Sequence, residues 1–296
     1  MKSGRSYPAT TPWLFLAPYL LIFGTFMAWP LFRSLILSFE QSYGARHTLF
    51  VGTHNFRFIL GDPMFWSAVS NTLLFTALAL VTQIPAALGL ALLLNRPDLR
   101  GKRFFRLAFF SPSIVGLSFV AIIFSLLLQK RTGLVNASLH SIFPMWDPDF
   151  AWREQYVMTS IVGASLWLAA GFYMIYFLAA LQNVPAELMD AASIDGAGPW
   201  QRFRHVVLPE IRPVLNIIVL LVITGSFQLF ELPFLLYDDT FGSGPENRAL
   251  TVVTYLYRTG FLSGDLGYAS AVGWVLTLFL VGFALLQRRL IKKEEL

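Results

Sequence analysis

Six long stretches of this 296-residue chain contain no Asp, Glu, Lys or Arg. They cover residues 7–32, 63–95, 107–129, 155–186, 213–230 and 266–287. A helix needs about 20 apolar residues to cross the hydrocarbon core of a bilayer. The fifth stretch is the shortest, but apolar residues 232–236 follow Glu231 and extend it. The pattern predicts an all-α membrane protein with six transmembrane helices.

The composition agrees with this prediction and narrows the classes of function. The chain is 56% hydrophobic and 13% charged, whereas soluble domains carry about 25% charged residues. It has no cysteine, which excludes disulfides and cysteine-ligated metals. The four histidines are scattered without ligand spacing, so no metal site is predicted. The spans contain no nucleophile close to a general base, so no enzyme activity is predicted.

The predicted spans are 12–33, 68–94, 107–129, 156–181, 212–236 and 267–289, all within one permease domain, 1–296. Lys2 and Arg5 precede the first stretch, as in a signal peptide. Its apolar part is too long for one, however, and no small-x-small cleavage site follows residues 29–31. The first stretch is therefore interpreted as a retained span.

The charges of the connecting segments predict the orientation. With both termini inside, 14 of the 22 basic residues and seven of the 17 acidic residues lie in the cytoplasm. The inner segments then carry about +7 and the outer segments about −2. The positive-inside rule favours this N-in, C-in arrangement. The basic residues lie in short clusters beside apolar runs, a topology signal that argues against nucleic-acid binding.

The connection between spans four and five, residues 182–211, has more pattern than a slack linker. Pro185 suits the first turn of a helix, and Glu187 and Asp190 follow where the helix dipole favours negative charge. Leu188, Ala191 and Ala192 then share one face of that helix. The pattern predicts a short helix with small apolar side chains and an acidic rim.

A second short helix is predicted after a break. Gly196 and Gly198 interrupt the first helix, Asp195 supplies a capping side chain, and Leu208-Pro209 ends the second helix. Two functions fit such a hairpin. It either docks a partner protein on its small apolar surface or lies on the membrane with Trp200 and Phe203 in lipid.

One motif in this connection resembles the EAA loop of ABC importer permeases. The motif is Asp190-Ala-Ala-x-x-Asp-Gly-Ala, with Pro209 thirteen residues after Gly196, and Asp190 replaces the usual Glu. Further motifs along the chain are similar to the carbohydrate-uptake branch, which includes maltose and glycerol-3-phosphate permeases. They are Asn55-Phe56, Asp62-Pro63-x-Phe65-Trp66, Asn71-Thr72-Leu73, Gln228-x-Phe230-Glu231, Gly244-Pro245 and Gly267-Tyr-Ala-Ser-Ala271.

The resemblance implies a type I importer permease of the prokaryotic cytoplasmic (inner) membrane. In that family the loop docks into a groove of a cytoplasmic ATPase. The implied coupling residues are Glu187, Asp190, Ala191, Ala192, Asp195, Gly196, Leu208 and Pro209. The implied partners are a second homologous permease, two ATPase subunits and an extracytoplasmic solute-binding protein.

ATP and Mg would bind the ATPase and not this chain, for which no cofactor is predicted. The chain lacks the G-x-x-x-x-G-K-[ST] phosphate loop, since its one Gly-Lys pair, Gly101-Lys102, has no Gly five positions before it. ATP hydrolysis is therefore assigned to another polypeptide.

Only the resemblance to the carbohydrate-uptake branch implies a carbohydrate as the solute. Aromatic faces together with amides and carboxylates bind sugars. Such side chains are present in spans two, four and five. The candidates for the substrate pathway are Asn71, Trp167, Tyr173, Phe227, Gln228, Phe230 and Glu231. Aromatic residues in spans also pack helices or face lipid. Glu231 either faces the pathway or pairs with an outer base such as Arg248 or Arg258.

A secondary transporter or channel for a small polar solute is the main rival. It would place ionisable groups near the middle of the membrane and would not need the patterned hairpin. The sequence does not separate mono-, di- and oligosaccharides, polyols and glycerol phosphate.

Overall fold

A computed structural model describes residues 10–42 and 48–294, with side chains up to residue 289. Lys2, Arg5 and His47 lie outside the described residues, as do the side chains of Lys292 and Lys293. The chain divides into two compact units. The first comprises residues up to 62 together with 256–277, and the second comprises 63–255 together with the residues from 278 onward. The single permease domain over 1–296 stays a prediction.

The first unit begins with α1, Thr11–Leu37, which contains one π turn at Gly24–Ala28. Two short antiparallel strands follow, β1 (Glu40–Ser42) and β2 (Thr48–Phe50), with Gln41 opposite Leu49. Helix α2 covers His54–Gly61. The later part of this unit, 256–277, is helical except around residues 263–265.

Buried polar contacts hold the first unit together. The Asn55 amide donates to the carbonyl oxygen of Glu40 (3.0 Å). The Tyr268 hydroxyl donates to the carboxylate of buried Asp62 (2.8 Å). A Cβ on Gly267 would lie 2.0 Å from the carbonyl oxygen of Glu40, so this close backbone approach requires glycine. Three segments distant in sequence therefore meet here.

The second unit contains most of the helices, and two of the helices have residues in both units. The elements are α3 (Pro63–Asn95), α4 (Lys102–Phe110), α5 (Leu117–Leu127), α6 (Leu134–Ile142), α7 (Trp152–Gln155), α8 (Val157–Gln182), α9 (Ala186–Ile194), α10 (Pro199–Phe227), α11 (Glu231–Leu236), α12 (Val252–Tyr257) and α13 (Leu266–Glu294). A 3₁₀ turn, Ser111–Ile114, follows α4, and two more lie at Asp238–Thr240 and Pro245–Asn247.

The core of the second unit forms where α3 packs on α8. Ala79, Ala87 and Ala91 are fully buried on one face of α3, and Ala164 and Phe177 are fully buried on α8. Small side chains let membrane helices approach closely, which replaces the hydrophobic driving force that lipid removes. Helix α10 packs against both α3 and α8, and α11 packs against α5.

Among the described residues, five helices are long and apolar enough to cross a membrane. They are Thr11–Leu37, Pro63–Asn95, Val157–Gln182, Pro199–Phe227 and Leu266–Arg289. Residues 107–129, predicted as one span, instead belong to Lys102–Ile114 and Leu117–Leu127, which are bent by 100°. The bend falls where Val115 is extended before Gly116, and the described residues contain six spans if this bent pair crosses the membrane as one.

The fifth span also differs from its predicted bounds of 212–236. The helix begins at Pro199 and ends at Phe227, and residues 231–236 form the separate helix α11. Phe230 has a non-helical backbone (φ −133°, ψ −61°) at the break. Glu231 therefore lies at the start of a short helix and not inside a continuous span.

Candidate coupling loop and substrate cavity

The first arm of the coupling loop, defined as residues 182–211, is α9. Pro185 precedes it in an extended conformation, and Glu187 lies in its first turn. The helix ends in a Schellman motif, in which the Ala197 N–H donates to the Ala192 carbonyl (2.9 Å) and the Gly196 N–H to the Ser193 carbonyl (3.1 Å). Gly196 has φ +75°, a conformation that glycine adopts without strain. Glycine thus ends the helix, as the sequence predicts.

The second arm begins at Pro199 and differs from the prediction at two positions. Its N-terminal cap is Gly198, whose N–H donates to the Gln201 side chain (2.8 Å). Asp195 is the C-cap residue of α9 and makes no side-chain capping bond there. The prediction that Asp195 caps through its side chain is therefore wrong, because Gln201 satisfies the free amide instead.

Leu208 and Pro209 do not end the second arm. The helix passes through a π turn at Phe203–Val207, where the Leu208 N–H donates to the Phe203 carbonyl, and then continues to Phe227. Proline lacks the N–H that an α-helix uses, and a wider π turn lets a helix absorb such an irregularity. The prediction of a helix end at Leu208-Pro209 is therefore wrong.

The coupling loop exposes apolar and acidic side chains together. Ile194 is 87% exposed and Trp200 is 68% exposed. Glu187, Asp190, Ala191, Asp195 and Gly196 are exposed, whereas Ala192 and Leu208 are half-buried. Arg202 Nη1 donates to Ser193 Oγ (2.9 Å) and joins the two arms. Hydrogen bonds therefore hold the two arms of the loop together, and its apolar side chains stay exposed.

A cavity of about 440 Å³ lies between α3, α5, α8 and α10 and reaches the start of α11. Such a volume is within the range of small-molecule sites. Four candidates for the substrate pathway line it: Tyr173, Gln228, Phe230 and Glu231. Phe75, Gln83, Ser165 and Ser226 line it as well, although the sequence did not single them out. The lining combines aromatic rings with amide, hydroxyl and carboxylate groups, and no Lys or Arg is found among the described residues that form it.

The other three candidates lie elsewhere. Phe227 is buried against Phe279, with ring centroids 4.9 Å apart. Trp167 is half-exposed and lies 6.0 Å from the Phe124 ring. The Asn71 amide donates to the carbonyl oxygens of residues 247 (2.7 Å) and 250 (3.1 Å). None of these three side chains is among the described residues that line the cavity, and their role in the pathway stays a prediction.

Gln83 is the most informative residue that sequence reasoning missed. It is buried in the middle of α3, and its amide donates to Ser165 Oγ on α8 (2.7 Å). A polar side chain in an apolar 33-residue helix was a visible signal. Its partner lies 82 positions away, so the pair itself was not readable from spacing.

Arg153 holds the far end of α11, the helix that begins at Glu231. Its Nη2 donates to the Leu236 carbonyl, and its guanidinium lies 5.5 Å from the centre of the Tyr237 ring. Burial raises the pKa of Tyr237 to about 12, against a smaller opposite effect of the Arg153 charge. Arg248, one proposed partner of Glu231, pairs with Glu246 instead.

Comparisons with known proteins agree with the resemblance. The family described as the inner membrane component of binding-protein-dependent transport systems matches residues 83–294. The arabinooligosaccharides transport system permease protein AraP of Bacillus subtilis (strain 168) is 34% identical, over 94% of this chain and 88% of AraP. The lactose transport system permease protein LacF of Rhizobium radiobacter is 33% identical, over 97% of this chain and 95% of LacF.

A solved structure shares the fold. A chain of a bacterial ABC transporter involved in the import of the acidic polysaccharide alginate superposes with a TM-score of 0.80 at 25% identity, over 94% of this chain and 95% of that one. The predicted fold of an importer permease and the predicted location in the inner membrane are thus confirmed. The chain belongs to the family of inner membrane permease components of binding-protein-dependent transport systems.

Proposed function

We propose that this permease imports an uncharged carbohydrate that an extracytoplasmic binding protein delivers, and that a separate ATPase drives the transport. The proposal rests mainly on the lining of the cavity. Phe75, Tyr173 and Phe230 offer aromatic faces, while Gln83 and Gln228 offer amides. Sugar rings present apolar C–H patches between hydroxyl groups, and this mixture matches both.

The charge of the cavity favours an uncharged solute. Among the described residues that line it, Glu231 and Tyr173 are the only ones with ionisable side chains, and none is basic. An anionic solute such as a sugar phosphate would meet the Glu231 carboxylate without a compensating cation. Among similar proteins, AraP and LacF are named for uncharged sugars and the superposed transporter for an acidic polysaccharide, so the charge of the cavity carries this part of the proposal. A neutral oligosaccharide or disaccharide is therefore the proposed substrate.

The ATPase is proposed to dock on the coupling loop. Asp190 and Ala191 are exposed on α9, and small side chains there permit close approach by a groove. Two ATPase subunits would bind ATP and Mg, and a second homologous permease would complete the pathway. The rival of a secondary transporter does not fit the family, whose members act with binding proteins.

Uptake measurements test the substrate. Cells lacking the gene and cells with it restored receive labelled lactose, arabinooligosaccharide or glycerol 3-phosphate. We expect restored uptake of a neutral sugar only, and a Glu231→Gln variant should lower that uptake at least tenfold. Asp239→Asn is the matched control, because Asp239 is exposed and does not line the cavity. Restored uptake of glycerol 3-phosphate alone, or full activity of Glu231→Gln, would contradict the proposal.

A further inference from the structure

The coupling loop carries more acidic than basic side chains, whereas a second connection in the same unit carries more basic ones. The basic segment, defined as residues 96–110, joins α3 to the third span and includes α4. It carries five basic side chains and one acidic side chain, Asp98. The basic residues are Arg96, Arg100, Lys102, Arg103 and Arg106. The segment therefore has a net charge of about +4 within fifteen residues.

This charge is not compensated within the part of the chain that the structure describes. The four arginines are exposed and Lys102 is half-buried. The ion pairs between described residues involve other side chains, such as Arg33 with Glu40 and Arg131 with Asp149. The first turn of α4 contains no acidic residue. The segment thus presents an unpaired cationic surface.

Apolar side chains lie beside these charges on the same short helix. Lys102 and Arg106 are four residues apart on one side of α4, whereas Phe104 and Leu107 are three residues apart on another side, and Arg103 lies between the two sides. Phe104 is 69% exposed and Leu107 is 64% exposed. A helix with basic residues on one side and exposed apolar residues such as Phe and Leu beside them is typical of a membrane interface.

The bounds of the helices restrict where this surface lies. Only six residues, 96–101, separate the end of the membrane-crossing helix α3 from the start of α4. At the other end, a Cβ on Gly171 of α8 would lie 1.8 Å from the Phe109 carbonyl oxygen, so α4 is held against that span. The basic segment therefore cannot move far from the membrane surface.

We propose that the basic segment binds the phosphate headgroups of anionic phospholipids in the leaflet where the charge distribution places it, the cytoplasmic one. Lys and Arg near a membrane surface attract anionic lipids, and the exposed Phe104 and Leu107 contact the adjoining acyl chains. A soluble anion would satisfy the charges alone, whereas a phospholipid satisfies the charges and the apolar side chains together.

Lipid binding to the purified full-length chain tests the proposal. Phosphatidylglycerol or phosphatidylcholine is titrated in detergent, and bound lipids are counted by native mass spectrometry. Arg103→Gln/Arg106→Gln removes two exposed charges from α4 and leaves its apolar residues in place. Each charge contributes about 1 kcal/mol, so the affinity for phosphatidylglycerol should fall about 30-fold. The affinity for phosphatidylcholine should not change.

Arg288→Gln/Arg289→Gln is the matched control, because it removes two exposed arginines from the inner end of α13. It should keep the affinity for phosphatidylglycerol. Equal losses in both variants would mean unspecific attraction and would overturn the proposal, as would unchanged affinity in Arg103→Gln/Arg106→Gln. Full displacement of the lipid by inorganic phosphate would point to a soluble anion instead. Retained lipid binding with lost ATPase association would identify a protein-docking surface.

Discussion

The coupling loop and the basic segment are both short connections between membrane spans, and both are predicted to face the cytoplasm. Their chemistry differs. The coupling loop has a net charge of about −2, small side chains around Ala191 and an open apolar face. The basic segment has a net charge of about +4 and large exposed aromatic residues. The difference fits two kinds of partner, a protein groove for the loop and a lipid surface for the segment.

The two segments also differ in how their backbones are held. The coupling loop is closed by its own hydrogen bonds, at Gly196 and between Arg202 and Ser193. The basic segment depends on a neighbour, because Gly171 of α8 leaves room for the Phe109 backbone. A loop that keeps its own shape is suited to transmit movement of a docked ATPase. A segment fixed to the bundle is suited to hold a constant depth in the membrane.

The largest expected effect comes from Asp190→Lys/Ala191→Trp in the coupling loop. Reversed charge and added bulk should prevent docking, so the ATPase should no longer co-purify and sugar uptake should fall to background. Binding of phosphatidylglycerol by the purified chain should stay as in the wild type. Unchanged co-purification of the ATPase together with unchanged sugar uptake would contradict the proposal that the ATPase docks on this surface.

A smaller effect is expected from Gly171→Ala, which tests how the basic segment is anchored. The new methyl group would overlap the Phe109 carbonyl. Overpacking of this kind costs about 1–3 kcal/mol or more. The melting temperature in detergent should fall by several degrees. Gly163→Ala on the same helix is the control, since its Cβ would meet nothing within 4 Å. Equal melting temperatures for the two variants would show that α4 is not packed on Gly171.

These positions differ in how well sequence reasoning predicted them. The end of α9 at Gly196 was predicted because glycine is the residue that adopts a positive φ without strain, which is a local property. The continuation of the helix through Pro209 was not predicted, because it depends on a π turn at Phe203–Val207 that no sequence pattern indicates. Charge-free length predicted the spans, but length says nothing about the 100° bend in the third.

The cavity was predicted only in part, for a physical reason. Gln228, Phe230 and Glu231 are close in sequence, so one motif identified all three. Phe75, Gln83 and Ser165 reach the cavity only through the packing of α3 on α8. Phe227 directly precedes this motif but packs on Phe279, because adjacent residues of a helix face different directions. The roles of the predicted site residues stay predictions until uptake is measured.

A still smaller effect is expected from Gly196→Ala, which tests whether docking of the ATPase depends on the shape of the coupling loop. A non-glycine residue at φ +75° costs about 1 kcal/mol, so a distorted loop should bind the ATPase about fivefold more weakly. Gly198→Ala is the control, because Gly198 has φ −67°. Gly196→Asn should be milder, since asparagine tolerates this conformation. Equal ATPase affinities for the two alanine variants, measured by titration, would argue that loop shape is unimportant.

The smallest effect is expected from Ser193→Ala, because two contributions oppose each other. The change removes the acceptor for Arg202 Nη1, so one hydrogen bond between the arms is lost. Such a bond stabilises the loop by about 0.5–1.5 kcal/mol at most. It also removes the hydrogen bond from Ser193 to the Met189 carbonyl and places a better helix former in α9. The higher helix propensity of alanine stabilises α9 by about 0.5 kcal/mol. ATPase affinity should therefore change by less than about fivefold. A loss of affinity as large as that of Asp190→Lys/Ala191→Trp would mean that the link between the arms, and not the surface of α9, determines docking. The hydrogen bond from Arg202 would then be the feature that distinguishes the coupling loop from the anchored basic segment.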